Sequence, residues 1–331
     1  MIDKDRIVPF VQLGDYIDTI LNGDDKDFFL AIQNQNNWFT EESVRFSLLG
    51  IRKFLEQETL EKWTADYTFP KNSNKRIGVI MASNIPLVGF HDLLSVLISG
   101  NSIMAKPGSQ DSLLMTLMIN KLIEIDPSFK ERIEVVERLN DADAFIGTGS
   151  DNSARYFKYY FDKKPHIIRK NRTSVAALTG KESKEDILNL GKDIFTYYGL
   201  GCRNVSKVYV PLGYSFQFFL DSLQQFEAVG DHHKYRNNYD YNKSIYLVNR
   251  EPHLDNGFLL VKESKELVSP ISVLFYEQYE GLEELKSVLT ENESKIQCII
   301  GDGYIPFGKA QEPEVCDYAD GVDTLAFLSQ L

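Results

Sequence analysis

A cysteine lies in a short glycine-rich segment, Gly-Leu-Gly-Cys-Arg-Asn, at residues 199–204. Residues 184–198 before it have the apolar spacing of an amphipathic helix, and residues 205–211 after it are typical of a β-strand. Glycine lets the backbone turn sharply and approach a bound molecule closely. The thiol of Cys202 is therefore expected at the end of a rigid element, where a nucleophile can reach an acyl carbon.

Taken alone, Cys202 has two interpretations. Thiols without a chemical role are among the most buried side chains, so a structural position in the core is the simpler of the two. A nucleophilic role requires further groups, above all a hydrogen-bond donor for the oxyanion that forms when an acyl carbon is attacked. The choice depends on what the rest of the chain supplies.

Composition limits the class of protein. The 331 residues suggest one large or two medium domains, and a hydrophobic content of 43% is enough for a substantial core. The chain has 36 Lys and Arg residues against 48 Asp and Glu residues, a net charge of −12. This balance disfavours general binding to nucleic acid or anionic membranes. No apolar run reaches the ~18 residues of a membrane span, and no signal peptide is recognised at the N-terminus.

The cysteines carry no sign of a metal site or a disulfide framework. Cys202, Cys298 and Cys316 form no CxxC pair and have no zinc-type spacing with histidine. Reduced thiols in the cytoplasm are the simplest account of so few cysteines. The adjacent His232 and His233 lie in a polar stretch, residues 231–244, which we interpret as a solvated loop. No bound metal is predicted.

The elements that must hold Cys202 follow from periodicity. Helices are expected near the N-terminus, at 10–20 and 40–67. Strands and helices then alternate, which predicts an open, largely parallel α/β sheet. Strands are predicted at 75–83, 101–107, 133–139 and 144–149, two more within 165–180, and helices at 86–100, 109–125 and 151–163. Further strands are predicted at 205–211, 244–249, 257–262, 270–277 and 296–301, and helices at 214–229 and 282–294.

Three loops with polar groups follow predicted strands of the first α/β region. They are Ala82-Ser83-Asn84, Lys106-Pro107-Gly108-Ser109 and Gly147-Thr148-Gly149-Ser150. Parallel sheets bind ligands at the carboxyl ends of their strands, so these loops are candidates for a ligand site. The chain contains no GxGxxG motif, so a nucleotide site must be built in another way.

Taken in order, these segments resemble the aldehyde dehydrogenase superfamily. Within it they resemble the bacterial acyl-CoA reductase family, which includes the reductase component of the luminescence fatty-acid reductase system. The resemblance covers about residues 77–275. The segment ASNIPL at 82–87 resembles the superfamily's Asn-x-Pro segment. It implies that the Asn84 amide and the backbone N–H of Cys202 stabilise the oxyanion, although Asn84 is also an ordinary turn residue before a proline.

The resemblance also implies a cofactor site. SGNSIMAKPGS at 99–109 places Lys106 at the adenosine ribose, or at the 2′-phosphate of NADP. GTGS at 147–150 resembles a loop near the pyrophosphate, although Ser150 is equally suited to cap the next helix. KELVSPISVLFYE at 265–277 resembles a segment whose glutamate binds the nicotinamide ribose, here Glu266. The implied cofactor residues are Ser83, Lys106, Thr148, Gly149, Ser150 and Glu266.

One position departs from the aldehyde-oxidising members. In the segment AALTGK at 176–181, our alignment places Ala177 where those enzymes carry a glutamate that activates water. An enzyme that exchanges its acyl group as a thioester needs no such base. The departure favours acyl-CoA chemistry and leaves the group that handles the proton unassigned.

The fold implied by the resemblance is an aldehyde-dehydrogenase-like α/β fold, with an open, mostly parallel cofactor-binding sheet and a second α/β catalytic domain. We expect N-terminal helices and an NAD(P)-binding domain at 1–175. A catalytic domain is expected at 176–300, and a C-terminal segment docking back at 301–331.

The implied activity is the NADPH-dependent reduction of a fatty acyl thioester such as acyl-CoA to the aldehyde, through an acyl-enzyme on Cys202. Two alternatives remain: reduction of an acyl phosphate, and reduction of an acyl group delivered by a protein partner. Because superfamily members commonly oligomerise, the implied partners are the acyl donor, an acyl-transferring protein and further copies of the chain.

Overall fold

The computed structural model describes residues 4–69, 75–139 and 141–331. The helices α1 to α12 are Val8–Asn22, Lys26–Gln35, Glu41–Phe54, Gln57–Thr64, Phe90–Ile98, Ser112–Ile125, Asp151–Phe161, Lys184–Phe195, Phe216–Leu223, His233–Asn249, Leu282–Glu291 and Thr324–Ser329. The strands β1 to β11 are Arg76–Ile80, Ser102–Lys106, Ile133–Val135, Ala144–Thr148, His166–Arg169, Thr173–Ala177, Val205–Pro211, Leu254–Asp255, Leu260–Glu263, Val273–Tyr279 and Ile296–Gly301.

Contacts between residues divide the chain into two compact units. The first unit is Met1–Asn171 together with Pro313–Leu331, and the second is Arg172–Glu312. The boundaries expected from the sequence, after residues 175 and 300, differ from these. The second boundary lies later because the turn at 308–310 is bound within the second unit: the backbone N–H groups of Gly308 and Ala310 donate to the Asp193 carboxylate, at 2.6 and 3.0 Å.

The first unit contains a five-stranded sheet in the order β3-β2-β1-β4-β5. All its neighbouring strands are parallel. The chain runs from the central strand β1 outward to β2 and β3, then returns to β4 on the other side of β1. The strand order therefore reverses between β1 and β4, which is where open α/β sheets form a ligand crevice.

The second unit contains a six-stranded sheet in the order β11-β6-β7-β10-β9-β8. Its strands are parallel except for the pair of β8 and β9. Leu285 and Leu289 of α11 pack on Val175 and Tyr209 of the sheet, and Tyr239 and Tyr246 of α10 belong to a separate cluster with Phe275. Together with the first sheet, this arrangement confirms the predicted α/β class with parallel sheets.

The interpretation of residues 231–244 as a loop was wrong, as was the strand at 244–249. Residues 233–249 form the helix α10, with His232 as its N-cap. Polar, Asn-rich sequence has weak helix propensity, but Tyr235, Tyr239, Asn242 and Tyr246 lie four, three and four positions apart and are all buried. Burial of this stripe stabilises the helix, because tertiary packing contributes more than propensity.

The predicted helix 40–67 is two helices, α3 and α4, separated at Leu55 and Glu56. Its expected start is confirmed, since the Thr40 hydroxyl accepts a hydrogen bond from the Ser43 N–H at 3.3 Å. At the other end of the chain, α12 packs against α5. No helix within the described residues is long and apolar enough to cross a membrane.

Candidate active site

Cys202 lies in a turn with unusual backbone conformation. After α8, residues 196–199 form a 3-10 turn in which Tyr197 and Tyr198 have φ values of 54° and 58°. Gly199 follows with φ at 80°. Left-handed backbone costs an L-residue roughly 1–2 kcal/mol, so two successive tyrosines in this region need support from their surroundings. The turn brings Cys202 to the surface, where it is exposed.

Asn204 supplies this support. Its side chain is 3% exposed. The Oδ1 atom accepts a hydrogen bond from the Gly201 N–H at 2.8 Å. The Nδ2 group donates to the carbonyls that end α8 and begin the turn, those of Asp193, Ile194 and Thr196, at 3.0, 3.3 and 2.8 Å. One buried amide thus satisfies the helix end and the residue next to Cys202.

Neighbouring elements hold the turn from other sides. The Ser174 hydroxyl, on β6, donates to the Cys202 carbonyl at 3.0 Å. The ring of Tyr198 packs on His232 with centroids 4.4 Å apart. His232 also caps α10 by accepting from the Tyr235 N–H at 3.4 Å. The two histidines therefore lie at a helix start, and no group of three potential metal-ligating side chains occurs among the described residues.

The two charged residues nearest the turn in sequence have structural partners. Arg203 donates from Nη1 to the Ala310 carbonyl at 3.2 Å. Asp193, fully buried, accepts from the Gly308 and Ala310 N–H groups. Burial raises the pKa of Asp193 to about 6, and the two backbone hydrogen bonds oppose this rise. Both side chains thus bind the segment 308–310 to the base of the turn.

Glu266 lies in the same unit as Cys202. It is exposed and follows β9 in the connection to β10. Its neighbour Leu267 accepts a hydrogen bond through its carbonyl from the Ser206 hydroxyl at 2.6 Å. Because Ser206 is the second residue of β7, the structure brings the Glu266 segment beside the strand that follows Cys202.

Ala177 is not near Cys202, which corrects the assignment made from the sequence. In the parallel pair of β6 and β7, Ala177 lies opposite Tyr209, whereas Ser174 lies opposite Val205. Ala177 is thus at the carboxyl end of its strand, and Cys202 precedes the amino end of the neighbouring one. Tyr209 is seven positions after Cys202, and Ala177 is buried. The residue at position 177 therefore says nothing about water activation at the thiol.

The remaining predicted residues lie together in the first unit, at the carboxyl edge of its sheet. Ser83 and Asn84 follow β1, Lys106 ends β2, and Thr148, Gly149 and Ser150 end β4 and lead into α7. The loops after β1 and β2 touch, since a Cβ atom on Gly108 would come within 2.2 Å of the Ser83 hydroxyl. The Ser150 hydroxyl accepts from the Ser153 N–H at 3.3 Å, so it caps α7.

Gly149 is a second point of close approach at this edge. A Cβ atom there would lie 2.9 Å from the Cβ of Ser153 and 3.0 Å from the Phe157 ring. Its N–H donates to the Arg169 carbonyl of the neighbouring strand at 3.2 Å. Glycine therefore lets the β4 loop pack directly on the first turn of α7, whose N–H groups favour anions.

Two buried residues next to the site were missed from the sequence. Asn204 was noted as part of the cysteine segment without a role. Asp111, which precedes α6, accepts a hydrogen bond from the Leu87 N–H at 2.7 Å, three residues after Asn84. The only signal for Asp111 was its residue type before a helix, which predicts an N-cap; its carboxylate makes no capping bond.

The chain matches the family model of the acyl-CoA reductases (LuxC) over residues 37–215, more than half of its length. No curated protein sequence gives a significant match. The fold is similar to that of an aldehyde dehydrogenase of Mycobacterium tuberculosis solved with NAD+, at 14% identity and a TM-score of 0.62, covering 87% of this chain and 71% of that one.

Two further solved structures show the same likeness. One is an NAD-dependent aldehyde dehydrogenase of Sinorhizobium meliloti, at 11% identity and a TM-score of 0.68, covering 91% of this chain and 70% of that one. The other is an NADP-dependent enzyme of Escherichia coli, at 12% identity and a TM-score of 0.65, covering 91% and 73%. The chain therefore belongs to the acyl-CoA reductase (LuxC) family, and it is an oxidoreductase with the aldehyde dehydrogenase fold.

Proposed function

We propose that the chain reduces a fatty acyl-CoA to the aldehyde with NADPH, through a thioester on Cys202. The observation that carries this proposal is the cysteine turn. In a chain of the acyl-CoA reductase family, an exposed thiol is held by a buried amide in a backbone conformation that is costly without support. We assign the cofactor to the first unit and the nucleophile to the second.

Each residue then has a defined task. The Cys202 thiolate attacks the acyl carbon, and the bond from that carbon to the sulfur of CoA breaks, so that CoA leaves as a thiol after taking up one proton. The Asn84 amide and the Cys202 N–H donate to the oxyanion during this attack. NADPH, when bound, supplies the hydride that converts the Cys202 thioester to the aldehyde level. Cys202 is then released as the thiolate when its bond to carbon breaks.

Three features of the first unit fit a dinucleotide phosphate. The strand order reverses between β1 and β4. The β4 loop packs closely on the start of α7 through Gly149, and Lys106 ends β2, on the other side of β1 from β4. Lys106 can serve the ribose 2′-hydroxyl of NAD or the 2′-phosphate of NADP, and NADPH is proposed on the family resemblance.

The experiment is intact-protein mass spectrometry after incubation with a long-chain acyl-CoA, first without and then with NADPH. We expect a mass increase of one acyl group that NADPH discharges as aldehyde, and no adduct on Cys202→Ala. Cys316→Ala is the matched control, because Cys316 is also exposed. Partial desolvation raises the pKa of the Cys316 thiol despite its exposure, and Asp317 and Glu314 raise it further, which makes it a poor nucleophile. This variant should acylate like the parent chain.

Other results would change the assignment. Retention of reductase activity by Cys202→Ala would exclude the acyl-enzyme. An adduct formed only with an acyl phosphate would identify that substrate class instead. Acylation that requires an added acyl-transferring protein would make that protein the donor. Comparison of NADPH with NADH, in the parent and in Lys106→Ala, tests the cofactor: a preference for NADPH that the variant loses supports the role of Lys106.

A further inference from the structure

Asp111 is a buried carboxyl group that the proposed reaction does not use. It is 2% exposed. Its Oδ2 atom accepts the Leu87 N–H at 2.7 Å, and Oδ1 has no hydrogen-bond partner among the described residues. Burial raises its pKa to about 8, and the hydrogen bond from Leu87 opposes this. Burial therefore favours the protonated acid, which accepts from Leu87 without a buried charge.

Asp111 binds the N–H of a peptide group whose carbonyl is also hydrogen-bonded. The Pro86 carbonyl, in the same peptide group as the Leu87 N–H, accepts from the buried Ser47 hydroxyl at 2.7 Å. Ser47 lies on α3 and Asp111 precedes α6, so two separate elements fix the plane of this peptide. Buried backbone groups with partners on both sides have little freedom to rotate.

The backbone at this point needs such anchors. Leu87 has φ at 55°, in the left-handed region that costs energy for any residue with a side chain. The turn continues with a hydrogen bond from the Phe90 N–H to the Leu87 carbonyl at 2.9 Å. A conformation of this kind persists only when its surroundings impose it. Leu87 is itself buried, at 3% exposure.

Asn84 lies two residues before the anchored peptide. Pro86 has a fixed φ and restricts the backbone of Ile85 to extended conformations, so few rotatable bonds separate Asn84 from the anchors. We propose that Asp111, together with Ser47, is a positioning residue that sets the place of the Asn84 amide for the acyl-transfer step. The inference rests on the proposed role of Asn84 as oxyanion donor.

The test is a double-mutant cycle measured by single-turnover release of CoA. The proteins are the parent chain, Asn84→Ala, Asp111→Ala and the double variant, with Asp111→Asn as the conservative substitution. Asp111→Ala should lower the acylation rate constant about tenfold and leave the acyl-CoA concentration for half-saturation within about twofold. Asp111→Asn keeps an acceptor for the Leu87 N–H and should retain most of the rate.

The decisive comparison is made in the Asn84→Ala background. There Asp111→Ala should change the rate less than about twofold, because the amide that it positions is gone. Equal effects in both backgrounds, or a rise in half-saturation alone, would overturn the inference. If circular dichroism shows that Asp111→Ala does not fold, Ser47→Ala takes its place, because it removes the hydrogen bond to the Pro86 carbonyl of the same peptide group. Ser47→Ala must then lower the acylation rate constant in the parent and have less than about a twofold effect in the Asn84→Ala background.

The outcomes separate this inference from the proposed function. A parent chain that no acyl-CoA acylates, or an Asn84→Ala variant as fast as the parent, refutes the proposed role of Asn84 and the inference with it. A slow Asn84→Ala variant with additive effects of Asp111→Ala keeps the proposed function and removes only the role of Asp111.

Discussion

Replacing Asn204 by alanine is expected to destabilise the second unit by about 4 to 5 kcal/mol. The side chain accepts one hydrogen bond, from Gly201, and its two N–H groups donate to three carbonyls. Three hydrogen-bonding positions at about 1 kcal/mol each give about 3 kcal/mol, and loss of the acceptor for a buried N–H adds about 1 to 2 kcal/mol. The left-handed backbone of Tyr197 and Tyr198 loses its support at the same time.

Asn204→Asp separates the acceptor from the donors. The aspartate has the same shape and can still accept from the Gly201 N–H, but it places oxygen opposite the carbonyls of Asp193, Ile194 and Thr196. At pH 8 we expect it to be at least as destabilised as Asn204→Ala, because a buried charge facing carbonyl oxygens is unfavourable. A milder effect for aspartate than for alanine would mean that the donors contribute little.

The assay combines urea denaturation with the rate at which a thiol reagent labels Cys202. Labelling is measured in the Cys316→Ala background, since Cys298 is buried and the remaining exposed cysteine is Cys202. Loss of the Asn204 contacts should change the labelling rate under native conditions and lower the free energy of unfolding. Asn249→Ala is the matched control, because that amide is exposed at the end of α10. The reasoning is refuted if Asn204→Ala matches this control in both measurements.

Two further predictions concern buried ionisable groups. Relative to Asp111→Asn, the free energy of unfolding of the parent should fall by about 1.4 kcal/mol per pH unit as pH rises from about 4 to about 8. In that range the folded chain holds on Asp111 a proton that the unfolded chain has lost. Parallel urea profiles for the two proteins would contradict it. Lys207, fully buried, pairs with Glu277 at 2.5 Å. Lys207→Ala should cost about 3 kcal/mol in urea denaturation and Lys207→Met less, because methionine keeps the packing volume; equal losses would exclude this packing contribution.

Two of the strands were predicted to the residue. The strands at 205–211 and 296–301 were predicted with the bounds that the structure has. Both are dense in β-branched or other apolar residues, which marks strands buried on two faces. The alternation with helices then predicted parallel order, because a crossover helix joins strands that run the same way.

The helix α10 shows where prediction from the spacing of apolar residues fails. Its sequence is dominated by Asn, Tyr, Asp and Lys, which is typical of a solvated segment. The helical periodicity of α10 comes from tyrosines, which have a large apolar ring but are easily counted as polar because of their hydroxyl group. Tyr235 and Tyr239 are buried to within a few per cent, and Tyr239 donates to the Asp255 carboxylate at 2.6 Å. Such a stripe becomes recognisable only when Tyr is counted with the apolar residues.

The prediction that Ala177 lies beside Cys202 was wrong for a different reason. A motif alignment shows only the order of residues along the chain. In a parallel sheet, the end of one strand and the start of the next lie at opposite edges. Ala177 ends β6, while Cys202 precedes β7, and the crossover through α8 returns the chain to the start of the sheet. The register of the two strands was needed to separate them, and register depends on tertiary pairing that one sequence does not state.

The two candidate site loops, each in its own unit, are held by the same physical device. In each, backbone in the left-handed region is carried by residues other than glycine, at Leu87 and at Tyr197 with Tyr198. In each, a buried side chain binds the backbone of the loop, Asp111 in the first unit and Asn204 in the second. A strained loop that is hydrogen-bonded to a buried side chain is held in one conformation. If that hydrogen bond breaks, the loop remains strained and a buried polar group is left unsatisfied. Substitution of either anchor should therefore impair the proposed chemistry before it affects nucleotide binding, since the side chains of both anchors bond to backbone near Asn84 and Cys202.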